Sequence, residues 1–227
     1  MDLDNLKRQA AEHAVQQVQP GMVLGLGTGS TAHYFVQALA ARMKAENFTV
    51  TGVPTSSQTA SLATQLNIPL GTLGEPPKLD LAVDGADEID PELNLIKGAG
   101  GALLQEKLVE ICATRFIVIA DESKKVEKLG TKFPVPVEVV RFGYEGTAAR
   151  IESLGCRAVR RTVKGDPFVT DEQHYILDCQ FNAIEHAEIL ADKLKGVTGV
   201  VEHGLFTKMA SEAVIAGARG IEVLRRR

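Results

Sequence analysis

The chain has 227 residues, 44% of them hydrophobic, no tryptophan and a formal net charge of -4 at pH 7. That composition excludes a disordered chain and a membrane protein, and its acidity gives a nucleic-acid backbone nothing to bind. Apolar stretches fall far short of the roughly 20 residues that cross a bilayer, and Asp2 and Asp4 stand where a signal peptide is basic, so a cytoplasmic location is expected.

Leu3, Leu6, Ala10, Ala14 and Val18 recur at helical spacing until Pro20-Gly21 stops the pattern, and Met22 to Leu26 then reads as a short strand. After the turn Gly25-Leu26-Gly27-Thr28-Gly29-Ser30-Thr31, a second helix carries Phe35, Val36, Leu39, Ala40 and Met43 on one face, followed by strand-like Phe48 to Val53. A helix near Ser57 to Leu66, a buried strand Leu79 to Val83, a helix near Ala102 to Cys112 and a strand Phe116 to Ala120 continue the alternation. This predicts the α/β class, with a Rossmann-like, doubly wound, mostly parallel sheet wrapped by helices.

Pro134 and Pro136 interrupt that alternation. Beyond them the order is strand from Val135, helix Tyr144 to Leu154, strands Arg157 to Val163 and Tyr175 to Asp178, helix Ala183 to Leu194 and strand Val197 to Glu202, a split β-α-β-β-α-β pattern. The run Ala213-Val214-Ile215-Ala216 before Gly217 reads as a strand returning to the first sheet or as a helix. The expected division is a Rossmann-like catalytic domain, 1–131 plus 205–227, with an inserted small ferredoxin-like α+β domain, 132–204. Arg225-Arg226-Arg227 reads as a solvated tail, and Arg157, Arg160, Arg161 and Lys164 as solvated charge or part of a subunit interface.

Cys112, Cys156 and Cys179 are odd in number and widely spaced, which fits reduced thiols, and the five histidines show no zinc-type spacing. The loop Gly25 to Thr31 has Ser30 in place of the third glycine of a dinucleotide fingerprint, and the next strand ends Val53-Pro54-Thr55-Ser56-Ser57 without a ribose-binding acid. No Lys-Ser or Lys-Thr completes a P-loop. Two readings stand for the loop: amides and hydroxyls that hold a phosphate or sugar at a helix N-terminus, or a tight turn with a capping serine.

Asp84-Gly85-Ala86-Asp87-Glu88-Ile89-Asp90 follows a buried strand. Asp87, Glu88 and Asp90 are compatible with a solvated loop before Pro91, whereas Asp84, the first polar residue after the strand, belongs at the sheet edge where open α/β sheets bind ligands. Lys97, in Lys97-Gly98-Ala99-Gly100-Gly101, is a natural partner for these acids and disfavours a magnesium site beside them. Glu106 lies off the apolar stripe Leu104, Leu108 and Ile111, so periodicity sends it to solvent and does not separate it from Glu110. Lys124 also follows a buried strand, where it meets an anion or is an ordinary surface lysine.

Taken together, Gly25 to Thr31, Asp84 to Glu88, Lys97 to Gly101, Glu106-Lys107, Ser123-Lys124 and the late Val201-Glu202-His203-Gly204-Leu205-Phe206 resemble ribose-5-phosphate isomerase of the A type, nearly end to end. The resemblance implies interconversion of D-ribose 5-phosphate and D-ribulose 5-phosphate in the non-oxidative pentose phosphate pathway, without metal or organic cofactor, by a homo-oligomer, dimer or tetramer. Carried onto matching positions, Glu106 is the proton acceptor, and Asp84, Asp87 and Lys97 line the reacting end of the sugar. Substrate-binding positions are Thr28, Gly29, Ser30, Thr31, Asp84, Gly85, Ala86, Asp87, Lys97, Gly98, Ala99, Gly100 and Lys124. His203 departs from the small or uncharged residue expected there. No nucleic-acid or membrane partner is implied.

The rival from another class is a sugar-phosphate-sensing domain of a transcriptional regulator. No helix-turn-helix precedes the first strand and no basic patch offsets the acidic charge, which argues against it.

Overall fold

The structure, a computed structural model, describes residues 2–74 and 78–226. Helix α1 (Leu3–Val15) begins where Asp2 accepts the Asp4 N–H, and it buries Leu6, Ala10, Ala14 and Val15. Strand β1 (Val23–Leu26), helix α2 (Ser30–Glu46), strand β2 (Thr51–Pro54), helix α3 (Ser57–Gln65) and strand β3 (Leu81–Asp84) follow in alternation. The short strands β4 (Glu88–Ile89) and β5 (Leu95–Ile96) precede helix α4 (Leu103–Glu110), strand β6 (Phe116–Asp121) and a 3₁₀ turn, Glu122–Lys124. Then come β7 (Val135–Val139), α5 (Tyr144–Glu152), β8 (Arg157–Arg160), β9 (Thr162–Val163), β10 (Asp166–Pro167) and β11 (Tyr175–Gln180). The chain ends with α6 (Ala187–Lys195), β12 (Val200–His203), β13 (Leu205–Phe206), β14 (Glu212–Gly217) and β15 (Gly220–Arg225).

The chain divides into two compact units. The first comprises Met1–Ala86, Gln105–Lys124 and Met209–Arg227, and is built on a six-stranded sheet of order β15-β14-β6-β3-β1-β2. All its pairs are parallel except β14 with β15. Leu24, Leu26, Phe35, Leu39, Val83, Ile117, Ile119 and Val214 share one core, in which each fully buried large side chain contributes about 1.5–3 kcal/mol. Because β1, β2, β3 and β6 are parallel, their carboxyl ends emerge on one edge of the sheet and deliver Gly27-Thr28, Thr55-Ser56, Asp84 and Glu122-Lys124 there. The run Ala213 to Ala216 is the returning strand, β14, parallel to β6.

The second unit comprises Asp87–Leu104 and Lys125–Lys208. Its four-stranded antiparallel sheet has the order β12-β7-β11-β8, and with α5 and α6 it forms the expected split β-α-β-β-α-β arrangement. Val135, Val137, Val139, Ile151, Leu177 and Leu194 make its core. A three-stranded sheet, β13-β5-β4, and the β9-β10 hairpin complete it.

Several elements differ from expectation for local reasons. The strand foreseen over Arg157 to Val163 breaks after Arg160, and Lys164 and Gly165, both at positive φ (54° and 95°), turn the chain back into β10. Helix α6 starts at Ala187 rather than Ala183, because Asn182 is left-handed and the Ile184 N–H is taken by the Leu129 carbonyl (2.8 Å). The basic end is strand rather than tail through Arg225, whose guanidinium meets Glu212 at 2.9 Å; Arg227 lies outside the described residues. His203 is buried, and its Nδ1 accepts the Leu205 N–H at 3.3 Å.

Candidate functional site

In the first unit, the β1–α2 turn is shaped by what stands behind each glycine. A Cβ on Gly25 would lie 2.7 Å from Val109 of α4, and one on Gly27 would overlap the Asp84 carboxylate. Gly29 takes φ 104°, which an L side chain rarely adopts, and is the N-cap of α2 with no side-chain cap. The capping-serine reading therefore fails: Ser30 is the first helical residue, and it is exposed.

Asp84 is 1% exposed at the end of β3. Its Oδ1 accepts the N–H groups of Thr28 (3.0 Å) and Gly85 (2.6 Å), which ties β3 to the glycine loop. On the other side, Thr28 Oγ1 lies within hydrogen-bond distance of Thr55 Oγ1 (2.7 Å), Ser56 Oγ (2.8 Å) and Thr59 Oγ1 (3.1 Å). Thr59 also donates to the Gly27 carbonyl at 2.9 Å. The sequence pattern did not foretell this hydroxyl cluster; its signal is Thr55-Ser56 directly after β2, a polar pair at the same sheet edge. The loop opens onto a hollow of about 810 Å³ lined by Gly29, Ser30, His33, Tyr34 and Gln58.

Glu106 is 4% exposed, and Glu110 3%, whereas Leu108 and Ile111 are 46% and 62% exposed. The expected apolar stripe is thus the outward side of α4, and the expectation that Glu106 faces solvent is corrected. Its inward face is Leu103, Glu106, Val109 and Glu110, spaced by three or four residues. Lys124 is half-buried at the end of the 3₁₀ turn after β6, where Asp121 Oδ1 accepts both the N–H and the hydroxyl of Ser123.

In the second unit, the acidic segment is not a solvated loop. Glu88 is fully buried, and its carboxylate accepts the backbone N–H groups of Gly130 (2.6 Å), Lys132 (2.5 Å) and Phe133 (2.6 Å). Asp90 holds Asn94 by its N–H (2.8 Å) and its side-chain amide (3.0 Å), and burial still pushes its carboxyl above the ordinary range. Asp87, half-buried, accepts the Ala99 N–H at 2.9 Å, so it meets the glycine segment directly. Lys97 is 2% exposed, with its Nζ 5.4 Å from the centroid of Phe206 and its N–H bonded to the Gly204 carbonyl at 2.9 Å. Gly98 is buried at φ 108°, while Ala99 and Gly100 are exposed.

Of the sequence-predicted positions, Thr28 to Thr31, Asp84, Gly85, Ala86, Glu106 and Lys124 belong to the first unit, and Asp87 and Lys97 to Gly100 to the second. Among the described residues no group of three or more histidines, cysteines and acids is arranged to hold a metal ion, and no helix is long and apolar enough to cross a membrane.

A parallel sheet that presents a glycine turn, a hydroxyl cluster and a buried carboxylate at one edge defines an α/β enzyme of small polar substrates. The family model of ribose 5-phosphate isomerase A (phosphoriboisomerase A) matches residues 51–220. A ribose-5-phosphate isomerase A from Synechococcus sp. (strain JA-3-3Ab) is 65% identical over 224 residues, 98% of this chain and 97% of that protein. The solved ribose 5-phosphate isomerase A of Methanocaldococcus jannaschii is 42% identical, with TM-score 0.93 over 98% of this chain and 99% of the other. A D-ribose-5-phosphate isomerase solved in complex with phospho-erythronic acid is 38% identical, with TM-score 0.96 over the whole of both chains. The chain belongs to the ribose 5-phosphate isomerase A family. It is an isomerase of the pentose phosphate pathway that interconverts ribose 5-phosphate and ribulose 5-phosphate.

Proposed function

We propose that the isomerisation runs through an enediolate, with Glu106 carrying a proton between C2 and C1. Moving the carbonyl from C1 to C2 requires a base at the carbon next to it and stabilisation of the oxyanion that forms. The observation that carries the assignment is the burial of Glu106 on the inward face of α4, against the apolar pattern of its own helix. A carboxylate in that position is costly unless it has a task or a partner.

Lys97, with Asp84 or Asp87, polarises the carbonyl and moves the proton between O1 and O2. The Thr28 to Thr31 segment, Gly85, Ala86, Gly98 to Gly100 and Lys124 hold the substrate, the phosphate falling to Lys124 and the α2 N-terminus, whose amides no side chain caps. The solved relative bound to phospho-erythronic acid, a sugar-acid phosphate, supports this reading. The reaction as written needs no metal or organic cofactor. A cytoplasmic homo-oligomer is part of the same proposal, supported by the exposure of Phe142 (95%), Val159 (49%) and Val163 (53%) in the second unit.

Turnover in heavy water tests the enediolate. Ribulose 5-phosphate formed from ribose 5-phosphate should carry deuterium at C1 in part of the product. Complete retention of the substrate's own hydrogen at every stage of conversion, joined to loss of activity on chelation, would replace this route by a metal-assisted hydride shift.

A further inference from the structure

Arg161 looks from sequence like one of four solvated basic residues, and the structure gives it other work. Its side chain is 14% exposed, with Nε and Nη2 bound to the two oxygens of Asp178 at 3.0 and 2.5 Å. The remaining arm, Nη1, donates to the carbonyl oxygens of Gly98 (2.8 Å) and Ala99 (2.9 Å). The Gly98 carbonyl and the Ala99 N–H belong to one peptide unit, and in a trans peptide they point to opposite sides. The guanidinium therefore grips one side of that plane, and Asp87 Oδ2 takes the Ala99 N–H on the other, at 2.9 Å.

The Gly98 carbonyl also accepts the Gly101 N–H at 3.0 Å, so a one-turn backbone bond and the guanidinium hold this plane together. Gly98 at φ 108° and Gly101 at φ 81° flank it, and glycine tolerates the alternative orientations that an L residue would forbid. The ring of Phe168 fills the space a Cβ on Gly101 would need, and its N–H bonds the Arg161 carbonyl at 3.0 Å, so the same segment braces the loop at a second point. Asp178 pre-orients the fork from β11, which lowers the entropy lost when the third arm engages.

We propose that Arg161 is a positioning residue for the isomerisation: it orients the Gly98–Ala99 peptide so that the Ala99 N–H is delivered to Asp87. The proposal rests on the reading that Asp87 and the Lys97 to Gly100 segment act on the sugar. Without the guanidinium the Gly98 and Ala99 carbonyls lose a charged donor, the plane is held only by the Gly101 N–H and Asp87, and the Ala99 N–H is delivered to Asp87 less firmly.

The test compares Arg161→Met, Arg161→Lys and Asp178→Asn with Asp87→Asn, by steady-state kinetics from pH 5 to 9 and by thermal unfolding. Arg161→Met should lower kcat on the order of 10–100-fold with KM changed far less, as a misplaced catalytic group does. The acidic limb of its kcat/KM profile should move to higher pH, because a carboxylate deprived of a donor protonates sooner. Arg161→Lys should recover part of kcat, and Asp178→Asn, which keeps the guanidinium but frees it, should show the same limb shift in smaller measure. Asp87→Asn should be nearly inactive. If Asp87→Asn is inactive while the folded Arg161 and Asp178 variants keep the wild-type kcat and pH profile, the positioning role is wrong and the site reading stands. An active Asp87→Asn overturns the site reading itself. Should Arg161→Met fail to fold, an unchanged pH profile in Asp178→Asn and Arg161→Lys is sufficient to reject the proposal.

Discussion

Asp84 Oδ1 accepts the backbone N–H of Thr28 at 3.0 Å, so the last residue of β3 fixes the loop that follows β1. The two strands are parallel neighbours, and Gly27 is what lets the carboxylate come this close, since a Cβ there would overlap it. Gly27→Ala should therefore displace Asp84 and release the Thr28 N–H. Overpacking of this kind costs about 1–3 kcal/mol. We expect a lower Tm together with a raised KM and a fall in kcat. A variant with wild-type Tm and kinetics would mean that the Asp84–Thr28 bond shapes neither the fold nor the site.

Glu106→Gln keeps the size of the side chain and removes its ability to take a proton. Turnover should fall on the order of 10²–10⁴-fold, while calorimetry still registers ribose 5-phosphate binding. Retention of a tenth of the wild-type kcat, a loss of only ~1.4 kcal/mol in transition-state stabilisation, would remove Glu106 from the proton-transfer role.

Helix α4 also shows where a sequence misleads. Leu104, Leu108 and Ile111 form a convincing stripe, but periodicity reports only where apolar residues recur, and in a helix of eight residues that rule is easily outweighed. The inward face carries two buried glutamates, Glu106 and Glu110, where a pattern of apolar residues gives no warning of them. The alternation of helices and strands was legible because the central strands β3, β6 and β14 are buried on both faces and read as near-continuous apolar runs. Strands β4, β5 and β13 were not, being two residues each, and β13 pairs with β5 across more than a hundred positions of sequence (Leu205 with Ile96). Arg161 was missed for a related reason: its partners, Asp178 and the Gly98 and Ala99 carbonyls, are set by topology rather than by neighbouring residues.

Lys124 ends the 3₁₀ turn after β6 and is half-buried, well placed to act as a point charge toward a phosphate. Lys124→Ala should raise KM for both ribose 5-phosphate and ribulose 5-phosphate on the order of tenfold, the scale of one lost charge-assisted bond, with kcat little changed. Equal KM values for variant and wild type in both directions would take Lys124 out of substrate binding.

Glu138, far along the chain from the proposed catalytic groups, supplies a prediction about pH. It sits on β7 opposite Ile176 of β11 and Glu202 of β12, fully buried. Oε1 accepts the Thr170 hydroxyl (2.9 Å) and lies 3.0 Å from His174 Nδ1, while Oε2 has no hydrogen-bond partner among the described residues. Burial pushes its carboxyl above the ordinary value of 4.5, and the bonds from His174 and Thr170 offset this in part. A raised value means that the folded chain holds the proton more tightly than the unfolded one. The stability linked to that proton is fully present below the unfolded value, about 4.5, and is lost as pH rises through the folded value. Glu138→Gln removes the titration, so the Tm of the variant minus that of the wild type should become steadily more positive between pH 4 and pH 8, whatever constant offset the amide brings. Repeating the pair in a His174→Asn background takes the ring's own titration out of the comparison. A difference that stays flat across that range would show that Glu138 ionises in the folded protein as it does in the unfolded chain.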